Sequence, residues 1–457
     1  MSGSSAPNII WFRQDLRLHD QAAFAAAAAS GPIIAIYVLD DEAPRDWQIG
    51  AAQRWWLHHS LEALHKSLDA KGIPLVLRRG RARAEIAALA KNIGAASVHC
   101  LAHYEPWWRN EEAALAKTLN LVRHPGYLLI DPVNVRTGSG SLYRIFTPYW
   151  RALQSQLPPP GPEGVPRSLT GYGDPPRSDK LSSWNLLPSK PDWSRGFKSW
   201  SPGEDGAIEK LRAFKAHVAA YGHDRNMPSI EGSSRLSPHL HFGEISPATV
   251  WHGVADERDA EPFLRELAWR DFTSNLILQF PAYGSKNGRD RMNVMKWRSG
   301  RGSDTDFDAW CRGVTGYPIV DAGMRQLWHT GWMHNRVRMI AASFLIKHLL
   351  IDWRRGERWF WDCLIDADYG NNSVNWQWVA GTGVDSSPFG RIMAPLTQSP
   401  KFDAAAYIRE WVPELRSLCD EAIHDPHAAG VAPAGYPDQL IGHREGRMRA
   451  LAALADL

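Results

Sequence analysis

Two acids, Asp366 and Asp368, and two amides, Asn371 and Asn372, stand between tryptophan-rich segments in residues 353–378, W-R-R-G-E-R-W-F-W-D-C-L-I-D-A-D-Y-G-N-N-S-V-N-W-Q-W. Carboxylates and amides between aromatic walls suit a polar, redox-active heterocycle that needs several hydrogen bonds. Trp353 and Trp376 bracket the group. The same residues would also serve as a capped loop between two core helices. The D-A-D-Y-G-N-N run predicts a turn, with one helix ending before it and another resuming at V-N-W-Q-W-V-A-G.

Two further groups carry chemistry. Glu266, Trp269 and Arg270 fall at i, i+3 and i+4, on one helix face opposite Leu264, Leu267 and Phe272. Asn335, Arg336 and Met339 fall on another helix. The turn-like run Glu231–Pro238, E-G-S-S-R-L-S-P, offers hydroxyls and backbone N–H groups that can hold phosphate oxygens. Each alone would pass for a capped or solvated surface feature.

The elements that position these groups fall into two classes. Short β-branched runs at Asn8–Phe12, Ile33–Leu39, Pro74–Arg78, Ser97–Leu101 and Tyr127–Ile130 alternate with Ala- and Leu-rich helical stretches such as 51–70 and 83–92. That alternation predicts a doubly wound parallel sheet over 1–135. The first strand runs into W-F-R-Q-D-L-R-L-H-D, which puts Arg13, Asp15, Arg17 and Asp20 at a strand end, where such sheets bind ligands. Neither G-x-G-x-x-G nor a Walker motif occurs, so a standard dinucleotide or P-loop site is not supported. Residues 136–205, rich in Pro, Gly and Ser beyond 155, read as an interdomain linker. Residues 206–457 show helical periodicity throughout, ending in the amphipathic R-E-G-R-M-R-A-L-A-A-L-A-D-L. The fold class is therefore α/β followed by all-α.

A chain of 457 residues can bury two or three full cores. Its net charge of +3 is too small to require a nucleic-acid partner. No apolar run reaches the roughly 18 residues of a membrane span, and the N-terminus lacks the pattern of a signal peptide. Cys100, Cys311, Cys363 and Cys419 form neither C-x-x-C nor a zinc spacing, so no metal is expected and the thiols read as reduced in a cytoplasmic protein. Twenty-two tryptophans are unusual and suggest stacking or electron transfer by indole.

The motifs E-G-S-S-R-L-S-P-H-L-H-F-G-E-I-S, E-L-A-W-R-D-F, T-G-Y-P-I-V-D-A-G-M-R-Q-L, T-G-W-M-H-N-R-V-R-M, I-D-A-D-Y-G-N-N-S-V-N-W-Q-W and R-I-M-A-P-L-T-Q-S-P-K-F-D occur in that order. They resemble the DNA photolyase and cryptochrome family over nearly the whole chain, and most resemble bacterial photolyases for cyclobutane pyrimidine dimers. The resemblance implies FAD bound in the helical domain. It implies that Tyr221, Ser233, Ser234, Leu236 and Ser237 hold the ribityl-phosphate part. Arg270 would serve the flavin pocket, and Asn335 would lie between flavin and substrate. Asp366, with Arg338, and Asp368 would bond the cofactor, and Asn372 would face the flavin N5. The partner implied is UV-damaged DNA, with its dimer flipped out of the duplex. Glu266 would bond the dimer, Trp269 and Trp378 would stack on it, and Arg336 and Met339 would complete the pocket. Arg225, Arg391 and Lys401 would contact phosphates.

The resemblance also implies an electron chain through Trp376, Trp353 and Trp297, with Trp310 and Trp361 as alternatives to Trp297, whose segment carries extra residues. Methionine at 339, and Asn335 directly after His334, favour the cyclobutane dimer over the six-four photoproduct, whose enzymes use a histidine pair. His334 is expected to be structural. A cryptochrome-type signalling photoreceptor is the alternative reading. For a second, light-harvesting chromophore, the run H-Y-E-P-W-W-R-N-E-E, with Glu105, Pro106, Trp107, Trp108 and Arg109, leaves methenyltetrahydrofolate, a deazaflavin, a flavin or no chromophore open. Asp40 and Arg54 could line that cleft. A monomer is expected.

Overall fold

The computed structural model describes residues 6–457. By compactness they divide into two units. One comprises residues up to Asp192, Lys198–Val218 and Ser234–Pro281; the other comprises Trp193–Phe197, Ala219–Ser233 and Ala282–Leu457. The expected boundary at 205 does not coincide with this division, because helices as far as Pro281 pack in the unit that holds the sheet. Among the described residues no helix is long and apolar enough to cross a membrane.

The first unit is built on five parallel strands, β1 (Asn8–Phe12), β2 (Ile33–Leu39), β3 (Leu75–Arg79), β4 (Ser97–Leu101) and β5 (Leu121–His124), in the order β3-β2-β1-β4-β5. All residues of β1 and β4 are buried; β1 is apolar after Asn8, while in β4 the buried polar Ser97 and His99 bond each other. The fifth strand is Leu121–His124, not the predicted Tyr127–Ile130. The later segment is more apolar, but its backbone is tied elsewhere: Leu129 N and Ile130 N donate to the Asp271 carboxylate at 3.2 and 3.0 Å. Residues 136–205 are not featureless either. They contain the helix Phe146–Gln154, whose Phe146, Tyr149, Trp150 and Leu153 are buried.

The charges at the end of β1 form internal ties. Arg13 is buried, donates to Glu112 at 2.6 Å and to the Leu101 carbonyl, and lies 4.2 Å from the Trp11 ring centroid. Arg17 donates to the Gly243 and Gly126 carbonyls at 3.0 and 2.8 Å. Both guanidiniums thus brace the loops beyond the strands.

At the β4–β5 edge, His99 bridges Ser97 Oγ at 2.7 Å and His124 at 3.0 Å. Burial, and then the neighbouring His124, lower the His99 pKa to about 4. A histidine whose folded pKa lies below its unfolded value contributes stability that is present above about pH 6.5 and lost as pH falls toward the folded value. The urea midpoint is therefore expected to drop between pH 7 and pH 4.5. The drop should be smaller in His99→Phe, and equal slopes in the two proteins would refute the assignment.

The second unit is helical. Its main helices are Pro318–Thr330, Asn335–Ser343, Trp353–Cys363, Tyr369–Ala380 and His443–Ala455, with a π turn, Phe344–His348, continuing the second of them. Three starts are set by side-chain caps. His334 Nδ1 accepts from Arg336 N at 3.2 Å, Asp352 from Arg354 N at 3.0 Å, and Asp368 from Asn371 N at 2.7 Å. The last cap moves the helix start forward to Tyr369, so Asn371 and Asn372 sit in a first helical turn rather than in the predicted loop.

Candidate flavin cleft

Three helices and the connection between two of them line a cleft that opens to solvent. Asn335, Arg338, Met339 and Ala342 form one wall; Phe360, Leu364 and Asp366 form another. The Tyr369–Ala380 helix contributes Asn371, Asn372, Asn375, Trp376, Trp378 and Val379. Eight residues expected from the sequence therefore meet here: Asn335, Arg338, Met339, Asp366, Asn371, Asn372, Trp376 and Trp378.

Their orientations have local causes. Asp366 is held by a two-pronged pair from Arg338, at 3.1 and 2.8 Å. Such a fork fixes the carboxylate plane. Asn372 Nδ2 donates to the Glu357 main-chain carbonyl at 3.2 Å, which orients the amide. The Glu357 side chain is itself fully buried, and burial raises its carboxyl well above the usual range. Trp376 sits against Phe360, with centroids 5.0 Å apart, and against Trp310 at 6.3 Å. A Cβ on Gly356 would come within 2.2 Å of the Trp376 ring, so only glycine lets that indole lie on the Trp353–Cys363 helix.

The other expected residues of this unit lie around the cleft. Asp368 does not line it; its carboxylate caps the helix start. Trp353 is buried and donates from Nε1 to Asn287 at 3.0 Å. Trp297 is half-buried, 6.5 Å from Phe389. Arg336 bonds Asn226 and lies over Phe402 at 4.7 Å, with Met339 Sδ at 3.9 Å. Arg391 lies 6.0 Å from the Trp378 ring, and Lys401 is exposed, 5.4 Å from Phe402. Tyr221 is buried beneath Arg225, at 5.2 Å, and Ser233 follows on the same stretch.

Within the unit that carries the sheet, Glu266, Trp269 and Arg270 lie on the helix Glu261–Gln279. Trp269 stacks on Phe146 at 3.6 Å, and Arg265 covers the other ring at 5.4 Å. Arg270 is buried with its guanidinium 4.4 Å from Tyr127. The neighbouring Asp271 is also buried, which pushes its carboxyl up to about 7 against the pull of two N–H donors. Ser234 Oγ accepts from Leu236 N at 3.3 Å, shaping the turn into the short helix that starts at Ser237.

Sequence reasoning missed Glu357, Phe360, Leu364, Phe146 and Asp271. Phe360 and Leu364 are four residues apart, and that spacing could have found them. Nothing local marks Phe146 as the stacking partner of Trp269.

The residues offered for a second chromophore have internal partners. Asp40 accepts from the backbone N–H groups of Glu42, Ala43 and Ala82 at 2.8–2.9 Å. Arg54 pairs with Asp41 at 2.5 Å, and Trp108 Nε1 donates to Gln14 at 3.2 Å. Pro106 opens the helix Pro106–Leu115, which also carries Trp107 and Arg109, and Glu105 is its N-cap residue.

The cleft residues fit a flavin ring system: amides at the polar edge, one fixed carboxylate, and an apolar floor of Phe360, Leu364, Ala342 and Val379. A parallel sheet followed by helices that line such a cleft defines a two-part flavoprotein. The comparisons narrow the class: this chain belongs to the DNA photolyase and cryptochrome family. The model for the FAD binding domain of DNA photolyase matches residues 263–456, and that for DNA photolyase matches residues 8–167. The chain is 47% identical to the deoxyribodipyrimidine photo-lyase of Agrobacterium fabrum, covering 100% of this chain and 99% of the relative. Among solved structures it is similar to a class III photolyase from Agrobacterium tumefaciens, with TM-score 0.94, 46% identity, and coverage of 100% and 98%. It is also similar to an archaeal photolyase from Sulfolobus tokodaii with two FAD molecules, with TM-score 0.84, 28% identity, and coverage of 99% and 100%.

Proposed function

We infer that the chain repairs cyclobutane pyrimidine dimers in DNA, driven by light and using FAD. The gathering of Asn335, Arg338, Met339, Asp366, Asn372, Trp376 and Trp378 on one cleft carries this reading. FAD, when bound, supplies absorption of near-ultraviolet or blue light and the electron that splits the dimer. The chain supplies position and electrostatics. Arg338 holds Asp366 fixed as an acceptor for the cofactor. Asn372 presents a neutral amide, held by the Glu357 main-chain carbonyl, so the amide adds no charge beside the ring. Tyr221, Ser233, Ser234, Leu236, Ser237, Asp368 and Arg270 hold the remainder of the cofactor. Phe360, Leu364 and Val379 exclude water.

A dimer stacks poorly, so flipping it from the duplex costs only about a few kcal/mol. Glu266 hydrogen-bonds the flipped dimer. Trp269, stiffened by Phe146, and Trp378 stack beside it. Arg336 and Met339 close the pocket, with Asn335 between cofactor and lesion, and Arg225, Arg391 and Lys401 hold phosphates on the rim. The use of His334 Nδ1 as a helix cap supports the cyclobutane dimer over the six-four photoproduct. The similarity to a structure with two FAD molecules supports a second chromophore, and a flavin, a deazaflavin and methenyltetrahydrofolate are the candidates. The same reading takes the chain as a cytoplasmic monomer.

The test uses the FAD-loaded, reduced protein and an oligonucleotide carrying one thymine cyclobutane dimer, in blue light and in darkness, with a six-four substrate beside it. Light-dependent loss of the dimer alone is expected. Glu266→Ala should lower repair per absorbed photon by about tenfold, the effect of roughly 1.4 kcal/mol. Normal photoreduction with repair of neither lesion would move the assignment to a signalling photoreceptor.

A further inference from the structure

We propose that Lys347 is a positioning residue for DNA binding, pinning the segment 381–394 that carries Arg391. The proposal rests on the reading of Arg391 as a phosphate contact. Lys347 is fully buried, and burial alone pulls its amino group well below the usual lysine range; among the described residues it has no ion-pair partner. Its amino group donates to the Ala380 carbonyl at 2.8 Å and stands 3.5 Å from the Phe389 ring centroid. A methionine of similar length would fill the space without the cost of burying a polar group. The amino group therefore has a task that packing does not explain.

That task is visible in what it joins. Ala380 ends the helix Tyr369–Ala380, where carbonyls are in excess and the helix dipole favours a cation. Phe389 belongs to the segment that follows, and its ring face attracts the same group. One buried amino group thus ties the last turn of a cleft helix to the middle of the next segment. The π turn Phe344–His348 makes this reach available, because its extra residue rotates the following side chains off the register of the Asn335–Ser343 helix.

The segment is held at other points as well. Met393 N donates to Ser343 Oγ at 3.1 Å, Arg289 to the Ser386 carbonyl at 3.2 Å, and Val384 N to Tyr283 Oη at 2.9 Å. Arg391 follows Phe389 by two residues. A segment fixed in this way loses little freedom when Arg391 meets a phosphate, and that preorganisation appears as affinity.

The test uses the FAD-loaded protein and a fluorescent duplex carrying one cyclobutane dimer, in the dark, across a salt series. Lys347→Met is expected to raise Kd about tenfold and to lower the slope of log K against log salt by about one, the signature of a lost phosphate contact. FAD content and repair per bound dimer at saturation should stay unchanged. Arg391→Ala should reproduce both changes, and the double variant should add little to either. If Arg391→Ala weakens binding and Lys347→Met alters neither Kd nor slope, the positioning role is overturned. If Arg391→Ala itself changes nothing, the reading of Arg391 is what fails. Should Lys347→Met not fold, Phe389→Leu removes the ring face while keeping the lysine, and unchanged Kd and slope there would equally overturn the proposal.

Discussion

Trp376→Phe is expected to slow light-driven reduction of FAD by about a hundredfold, the rate effect of roughly 3 kcal/mol in a barrier. FAD content and the circular dichroism spectrum should be unchanged. Trp376 lines the cleft, and its ring lies on Gly356, one helical turn beyond Trp353. Trp353 is buried and Trp297 is half-exposed; three indoles acting in series would divide one long electron step into shorter ones. Phenylalanine fills most of the volume but is far harder to oxidise. Trp310 is a ring neighbour of Trp376 and is buried, with Nε1 donating to the Ala341 carbonyl at 3.0 Å. Transient absorption of Trp353→Phe and Trp310→Phe separates the two routes, since the variant that lies on the path should lose the fast phase. Photoreduction at the parental rate in Trp376→Phe would end the electron-chain reading.

Arg338→Met is expected to destabilise the FAD-free protein by about 3 kcal/mol and to deplete bound FAD. The side chain of Asp366 is 3% exposed and that of Arg338 is 23% exposed, so the pair is mostly removed from water. Taking away one partner of such a pair leaves a buried, uncompensated charge, at a cost of about 3–5 kcal/mol. The partial exposure of Arg338 puts the value at the lower end of that range. Asp366→Asn in the same background should restore part of the stability by removing the orphaned charge, although FAD would still be lost because the fixed acceptor is gone. Urea denaturation and flavin absorbance of the purified variants measure the two effects separately. A double variant no more stable than Arg338→Met would show that charge burial is not the cause.

Much of this was legible before any coordinates. Four of the five strands could be read from their short apolar and β-branched runs, because strands of a sheet covered on both faces are mostly apolar. The helical second half followed from periodicity, and the chemistry-bearing residues followed from type and spacing. The amides and acids of 353–378, and the Asn335 to Met339 spacing, were local signals because each group lies within one or two helical turns.

What only the tertiary structure decided depends on residues far apart in the chain. The fifth strand is Leu121–His124 because Asp271, more than a hundred residues later, ties down the backbone of Leu129 and Ile130. Asp368 caps a helix rather than lining the cleft, since the N–H of Asn371 lies within its reach. The upward shift of the Glu357 carboxyl follows from its complete burial, and its place behind Asn372 from the meeting of two helices. Gly356 looks like a weak point in a helix until the Trp376 ring is seen to occupy the space of its missing side chain. Phe146 and Lys347 likewise gain their roles from partners that no local pattern names. Sequence by itself determined which elements form and which residues can do chemistry, because propensity, periodicity and side-chain type are local. Orientation, protonation and ion pairing were decided only by folding, because they depend on which distant groups share a desolvated space.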